Sequence, residues 1–124
     1  MKQNMVSWFE IAVTDMDRAQ AFYEKVFDTK VTVQDFGGVL MGWFPHEGGA
    51  PGAMGSLVKN ENYTPSEAGS LLYFHTDDID TELGRVTAAG GQVRQEKTLI
   101  SPETGYMAVF IDSEGNRMAL YSKS

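Results

Sequence analysis

Acid–base and metal chemistry at neutral pH draws first on imidazoles and thiols, and this 124-residue chain is poor in both. His46 and His75 are the two imidazoles, and there is no cysteine to act as thiolate nucleophile, soft metal ligand or disulfide partner. With Glu10 or Glu47, the two histidines could form a two-histidine, one-carboxylate site for a divalent metal. Either His75 or Glu10 could instead serve as an acid–base catalyst, since imidazole titrates near neutrality. Nothing nearby in sequence supplies His75 with a partner. A plainer reading makes His46 a solvated loop residue and His75 a strand-end residue at the rim of a cavity.

The elements that position these residues come in two copies. Trp8 to Val13 alternates and is β-prone, with Trp8, Glu10 and Ala12 on one face and Phe9, Ile11 and Val13 on the other. Thr14 and Asp15 offer side-chain oxygens to cap a helix. That helix carries Met16, Ala19, Phe22, Tyr23, Val26 and Phe27 at helical spacing and ends at Phe27. The run starting at Leu71, LLYFHTDDIDTELGRVTAAGG, repeats the unit 63 positions on, with Asp77 or Asp78 as cap and Gly90-Gly91 as stop. After the first helix, strands are expected at Lys30–Gln34, Val39–Phe44 and Ala53–Lys59, with a flexible connection over Pro45–Gly52. Gly55 marks a bulge or a close backbone approach. After the second helix, a short strand is expected around Gln92–Gln95, then a loop over Thr98–Gly105. Strands follow at Tyr106–Ile111 and Arg117–Tyr121, joined by a tight turn at Asp112–Asn116.

Each half therefore reads β-α-β-β-β. The expectation is an α+β fold of one domain over 1–124. Its first module covers about 1–60, a linker 61–69, and its second module about 70–124. Two such modules, each with its helix on one sheet face, would form a curled mixed sheet around a cup, the default place for a small-molecule ligand. Met1 to Ser7 is a short lead-in without the apolar stretch of a signal peptide, and no apolar run approaches the roughly 20 residues of a membrane span. Cytoplasmic location is the default expectation. The net charge of −7 argues against nucleic acid or an anionic membrane as partner.

Two stretches resemble a known family. Val13-Thr14-Asp15-Met16-Asp17-Arg18-Ala19 with Phe22-Tyr23 is similar to the first-helix signature of the vicinal oxygen chelate superfamily. That group includes glyoxalase I, bleomycin-resistance proteins and extradiol dioxygenases. The ending Phe110-Ile111-Asp112-Ser113-Glu114-Gly115-Asn116-Arg117 with Leu120 resembles the family's close. The resemblance identifies the fold more than the chemistry, because these residues cap helices, pack on sheets and make turns.

The resemblance places the metal ligands of the family's enzymes at Trp8, Ser56, Leu71 and Ala119. None of these is a usual ligand, and shifting by one residue recovers none. No metal or other cofactor is therefore expected, a divalent metal belonging only to the alternative reading. The faces shared with those positions carry Trp8, Glu10, Ser56, Tyr73, His75 and Tyr121 as candidate ligand-binding residues. Stacking on Trp8, Tyr73 and Tyr121, with Glu10 pairing an amine, would suit a small aromatic or cationic molecule. The function implied is a glyoxalase- or bleomycin-resistance-like binding protein that has lost the usual metal site. The alternative is a glyoxalase-type lyase or isomerase, or a dioxygenase, with a non-standard metal or acid–base site. A homodimer is the assembly that the resemblance implies.

Overall fold

The computed structural model describes residues 2–124, so Met1 of the expected lead-in lies outside the described residues. The elements run β1 (Trp8–Ala12), α1 (Met16–Phe27), β2 (Thr32–Phe36), β3 (Val39–Trp43), β4 (Met54–Lys59), β5 (Tyr73–His75), α2 (Ile79–Ala89), β6 (Gln92–Ser101), β7 (Gly105–Ile111) and β8 (Arg117–Ser122). They form two four-stranded mixed sheets, ordered β1-β4-β3-β2 and β5-β8-β7-β6. In each sheet the first strand runs parallel to the last, and the other pairs are antiparallel. The duplication reaches the register itself. Glu10 pairs with Ser56, and the residues 63 positions later, Tyr73 and Ala119, pair in the same way.

Both helices keep the limits expected from their spacing. Asp15 caps α1 by accepting from the Arg18 amide at 3.0 Å, and Asp78 caps α2 by accepting from the Asp80 amide at 3.2 Å. Each helix lays its apolar stripe on its own sheet, and the two helices also touch. Ile11, Phe22, Tyr23 and Leu57 of the first module share one core with Ile79, Val86, Phe110 and Leu120 of the second. Aromatic rings knit the junction. Phe74 lies 6.0 Å from Phe9 and 4.9 Å from Phe27, and Phe22 lies 6.1 Å from Phe110. The modules thus meet through their helix-bearing sides.

Several strand limits differ from expectation. β2 reaches Phe36, because the turn is confined to Gly37 and Gly38, whose φ values of 64° and 93° suit a two-residue hairpin. β5 covers only Tyr73–His75 of the strand that the repeated pattern predicts over Ser70–Thr76, although its pairing with β8 continues beyond it through the Ala119 amide to Leu72 and the Thr76 amide to Tyr121. β6 is much longer than expected and absorbs Thr98 to Ser101, which had the look of a loop. Register shifts at three places along its pairing with β7 break the alternation, and as an edge strand it tolerates polar residues on both faces.

Gly55 makes no bulge in its pairing with Phe9, and what approaches it closely is a side chain rather than backbone. A β-carbon there would sit 2.5 Å from the Phe9 ring, which lies flat over the glycine of the paired strand. Gly55→Ala is therefore expected to push that ring aside and lose about 1–3 kcal/mol of stability, readable by denaturant unfolding.

The hairpin between β7 and β8 clamps the second module onto the first. Glu114 accepts the Thr14 and Asp15 amides, each at 2.9 Å, and the Arg18 guanidinium at 2.7 Å. Burial pushes the Glu114 carboxyl up, but the bonds from Arg18, from the Asp15 and Thr14 amides and from Ser113 outweigh it and hold the group down at about 2. The clamp's contribution is thus present above the ordinary carboxylate value of 4.5 and is lost as pH falls through about 2. Arg18 is half exposed, so Glu114→Gln is expected to cost about 1–2 kcal/mol at pH 7. The gap between parent and variant should shrink below pH 4.5 and close near pH 2 in thermal melts. A gap independent of pH would contradict the assignment.

Candidate functional site

Strand alternation divides each sheet into a helix-bearing face in the core and a helix-free face pointing away from it. On the first module, Trp8, Glu10 and Ala12 of β1 take the helix-free face, because Phe9 and Ile11 join the core. Register sets Met54, Ser56 and Val58 of β4 beside them, then Trp43 and Met41 of β3, then Thr32, Gln34 and Phe36 of β2. The result is an aromatic surface. The Trp8 and Trp43 rings meet edge-on at 4.9 Å across β4, and Trp43 also lies 6.3 Å from Phe36 and 5.7 Å from His46. A hollow of about 420 Å³ opens beside Trp43, bounded by Thr32, Gln34, Pro45 and His46. Ser56 is fully buried under this surface. Neither its hydroxyl nor the buried Trp43 indole N–H has a hydrogen-bond partner among the described residues.

On the second module, Tyr73 and His75 of β5 stand beside Ala119 and Tyr121 of β8. Tyr73 is 53% exposed, so its ring is available for stacking. The Tyr121 ring lies 6.2 Å from His75, and its hydroxyl donates to the Thr104 carbonyl. Of the six expected ligand-binding residues, Trp8, Glu10 and Ser56 share the first face, and Tyr73, His75 and Tyr121 share the second. Among the described residues no ring contact joins the two sets, and the cavities at Tyr73 and His75 are separate from the small one beside Glu10. The two histidines are likewise apart, His46 against Trp43 and His75 against Tyr121. Among the described residues, no three His, Cys, Asp or Glu side chains gather as they would around a metal ion.

The structure adds a cleft that sequence reasoning missed. A cavity of about 620 Å³ lies between the modules, walled by Phe9, Phe27, Phe44 and Phe74, with Tyr73 and His75 at its border. The strand-borne rings, Phe9 and Phe74, alternate with the expected ligand-binding positions and so belong to the helix-bearing side. Their alternation was a signal that they line the junction between the modules.

Comparison with known proteins places these features in context. The family model for the glyoxalase/bleomycin resistance protein/dioxygenase superfamily matches residues 5–120. A glyoxylase-like domain-containing protein of Didymella fabae is 28% identical over 121 residues, covering 95% of this chain and 93% of its own length. Among solved structures, TnmS3, an antibiotic binding protein from Streptomyces sp. CB03234, superposes with a TM-score of 0.67 at 25% identity, covering 100% of this chain and 99% of that one. Glyoxalase I from Zea mays superposes with a TM-score of 0.70 at 18% identity over 94% of this chain. This chain spans 45% of that enzyme's length, and the likeness is one of fold.

Proposed function

The chain belongs to the glyoxalase/bleomycin resistance protein/dioxygenase superfamily, and from that premise we propose that it binds small aromatic or cationic molecules without the metal of the family's enzymes. The carrying observation is the aromatic surface of the first module. Trp8, Trp43 and Phe36 present stacked and edge-on rings, with the Glu10 carboxylate exposed on the same face. Such a surface attracts planar rings by stacking and cations by ring quadrupole and carboxylate charge. The partnerless Ser56 hydroxyl and Trp43 N–H lie under it and could meet an acceptor on a ligand that moves the Trp8 ring. TnmS3, described as an antibiotic binding protein, lends support by its likeness across the whole chain.

The donor set supports independence from metal. The positions corresponding to the family's ligands hold Trp8, Ser56, Leu71 and Ala119, and a lone serine hydroxyl is a poor ligand. The alternative of a lyase, isomerase or dioxygenase built on His75, Glu10 and His46 gains no support from geometry, since the three border different cavities.

In this reading the cup is completed by a second copy of the chain. The helix-free face with Trp8, Glu10 and Ser56 would oppose the partner's face with Tyr73, His75 and Tyr121, the two modules and linker 61–69 acting as one unit. Half-covered apolar residues on both faces, among them Met41, Met107 and Val109, favour such a cover. Sedimentation is expected to give twice the chain mass. A thermal-shift screen of aromatic and cationic compounds in excess chelator is expected to find stabilising ligands. A monomer with no stabilising compound in either class would contradict the proposal.

A further inference from the structure

The inter-module cleft differs in chemistry from the aromatic face and needs no second chain. Its volume of about 620 Å³ lies within the range of sites that enclose drug-sized molecules. Phe9, Phe27, Phe44 and Phe74 belong to the ring cluster at the junction, so the walls are held by packing rather than by a mobile loop alone. None of the lining side chains is Asp, Glu, Lys or Arg, although these types make up 22% of the chain and its net charge is −7. The polar side chain on its wall is that of Thr29, with Tyr73 and His75 of the β5 edge at the border. A charged molecule entering here would give up water for walls without a counter-charge. An uncharged one would exchange water for aromatic contact and could keep one polar group on the rim.

We propose that this cleft is a binding site, complete within one chain, for an uncharged, planar, hydrophobic small molecule. The phenylalanine walls take its ring system, and the Thr29 hydroxyl takes its single polar end. Pro45, Pro51, Gly52 and Ala53 of the connection between β3 and β4 close one side. That connection has no counterpart in the tight turn of the second module, so the duplicated fold has a larger opening at this end.

The test titrates the full chain with Nile red, a neutral planar dye, alongside anionic anilinonaphthalene sulfonate and cationic thioflavin T. Nile red emission is expected to saturate at one dye per chain, with affinity at least tenfold above anilinonaphthalene sulfonate, while thioflavin T, a cation suited to the Trp8–Trp43 face, is expected to bind alike in the parent and in Ala53→Phe. Ala53→Phe, which adds a ring from an exposed loop position outside the core, is expected to abolish the Nile red signal. Thr29→Val, which removes the hydroxyl at nearly constant shape, is expected to weaken it at least fivefold. The proposal is overturned if Nile red does not saturate, if anilinonaphthalene sulfonate binds equally well, if Ala53→Phe removes thioflavin T binding, or if Ala53→Phe melts like the parent and binds Nile red like it. It is also overturned if binding falls as protein concentration rises through dimerisation, since the second copy would then occupy the cleft. Ala53→Phe leaves the Trp8–Trp43 face intact, so failure here does not carry over to the function proposed above.

Discussion

Asp112→Ala is expected to lower stability by about 3–5 kcal/mol, the largest loss foreseen for any single substitution outside the apolar core. Asp112 is 3% exposed and its carboxylate accepts four hydrogen bonds. One carboxylate oxygen takes the amides of Glu114 and Asn116, at 2.8 and 2.9 Å. The other takes the Tyr23 hydroxyl at 2.6 Å and the Asn116 side-chain amide at 3.1 Å. Alanine strands all four donors, three of them in buried bonds, and a stranded buried donor costs more than a hydrogen bond contributes. The effect should spread through the junction. Asn116 also donates to the Ala12 carbonyl at 2.8 Å, and burial beside Asp112 already pushes the Tyr23 phenol well above its ordinary value. Tyr23→Phe removes one donor along with its need for a partner, so it should cost only about 1 kcal/mol. Urea unfolding of the two variants at neutral pH reads the difference directly. Equal losses would mean that Asp112 is an ordinary turn residue.

Trp43→Ala is expected to weaken ligand binding by about 10- to 100-fold, a loss of roughly 1.4–2.8 kcal/mol. Trp43 occupies the middle of the first module's helix-free face, in ring contact with Trp8, Phe36 and His46. Its removal takes away the central stacking surface and leaves the core untouched, because the ring is on the far side of the sheet. Ser56→Ala separates binding from folding more cleanly. The Ser56 hydroxyl is buried with no partner among the described residues, so its loss should leave the ligand-free protein as stable as before or more stable by up to about 1 kcal/mol. Binding should nonetheless fall severalfold if the ligand supplies the missing partner. Calorimetry alongside thermal melts of both variants would show it. A stability loss in Ser56→Ala with unchanged affinity would make the hydroxyl a packing group.

Much of the fold was legible in the sequence because its determinants are local. Helical spacing and aspartate caps marked α1 and α2, and the 63-residue repeat carried the pattern of one module to the other. Gly55 announced a close contact without naming Phe9 as its cause. The long strand β6 was not legible, since its pairing irregularities and edge position erase the two-residue period. Nor was the role of Asp112, which reads as a turn residue until Tyr23, 89 positions away, comes to it. For the site, alternation assigned each candidate to a face but could not say how the faces stand to each other. That depends on the packing of Phe9, Phe27 and Phe74 at the junction, a long-range contact with no local signature. The same packing creates the cleft.

The most direct measurement is a fluorescence titration of chelator-treated protein with acridine orange, a planar aromatic cation. Trp8 and Trp43 are the two tryptophans of the chain, and both lie on the face proposed to bind. The predicted result is saturable quenching at one dye per chain, unchanged when nickel, zinc, manganese or iron is added. Quenching that requires a stoichiometric metal, or no quenching under either condition, would contradict a metal-independent aromatic site.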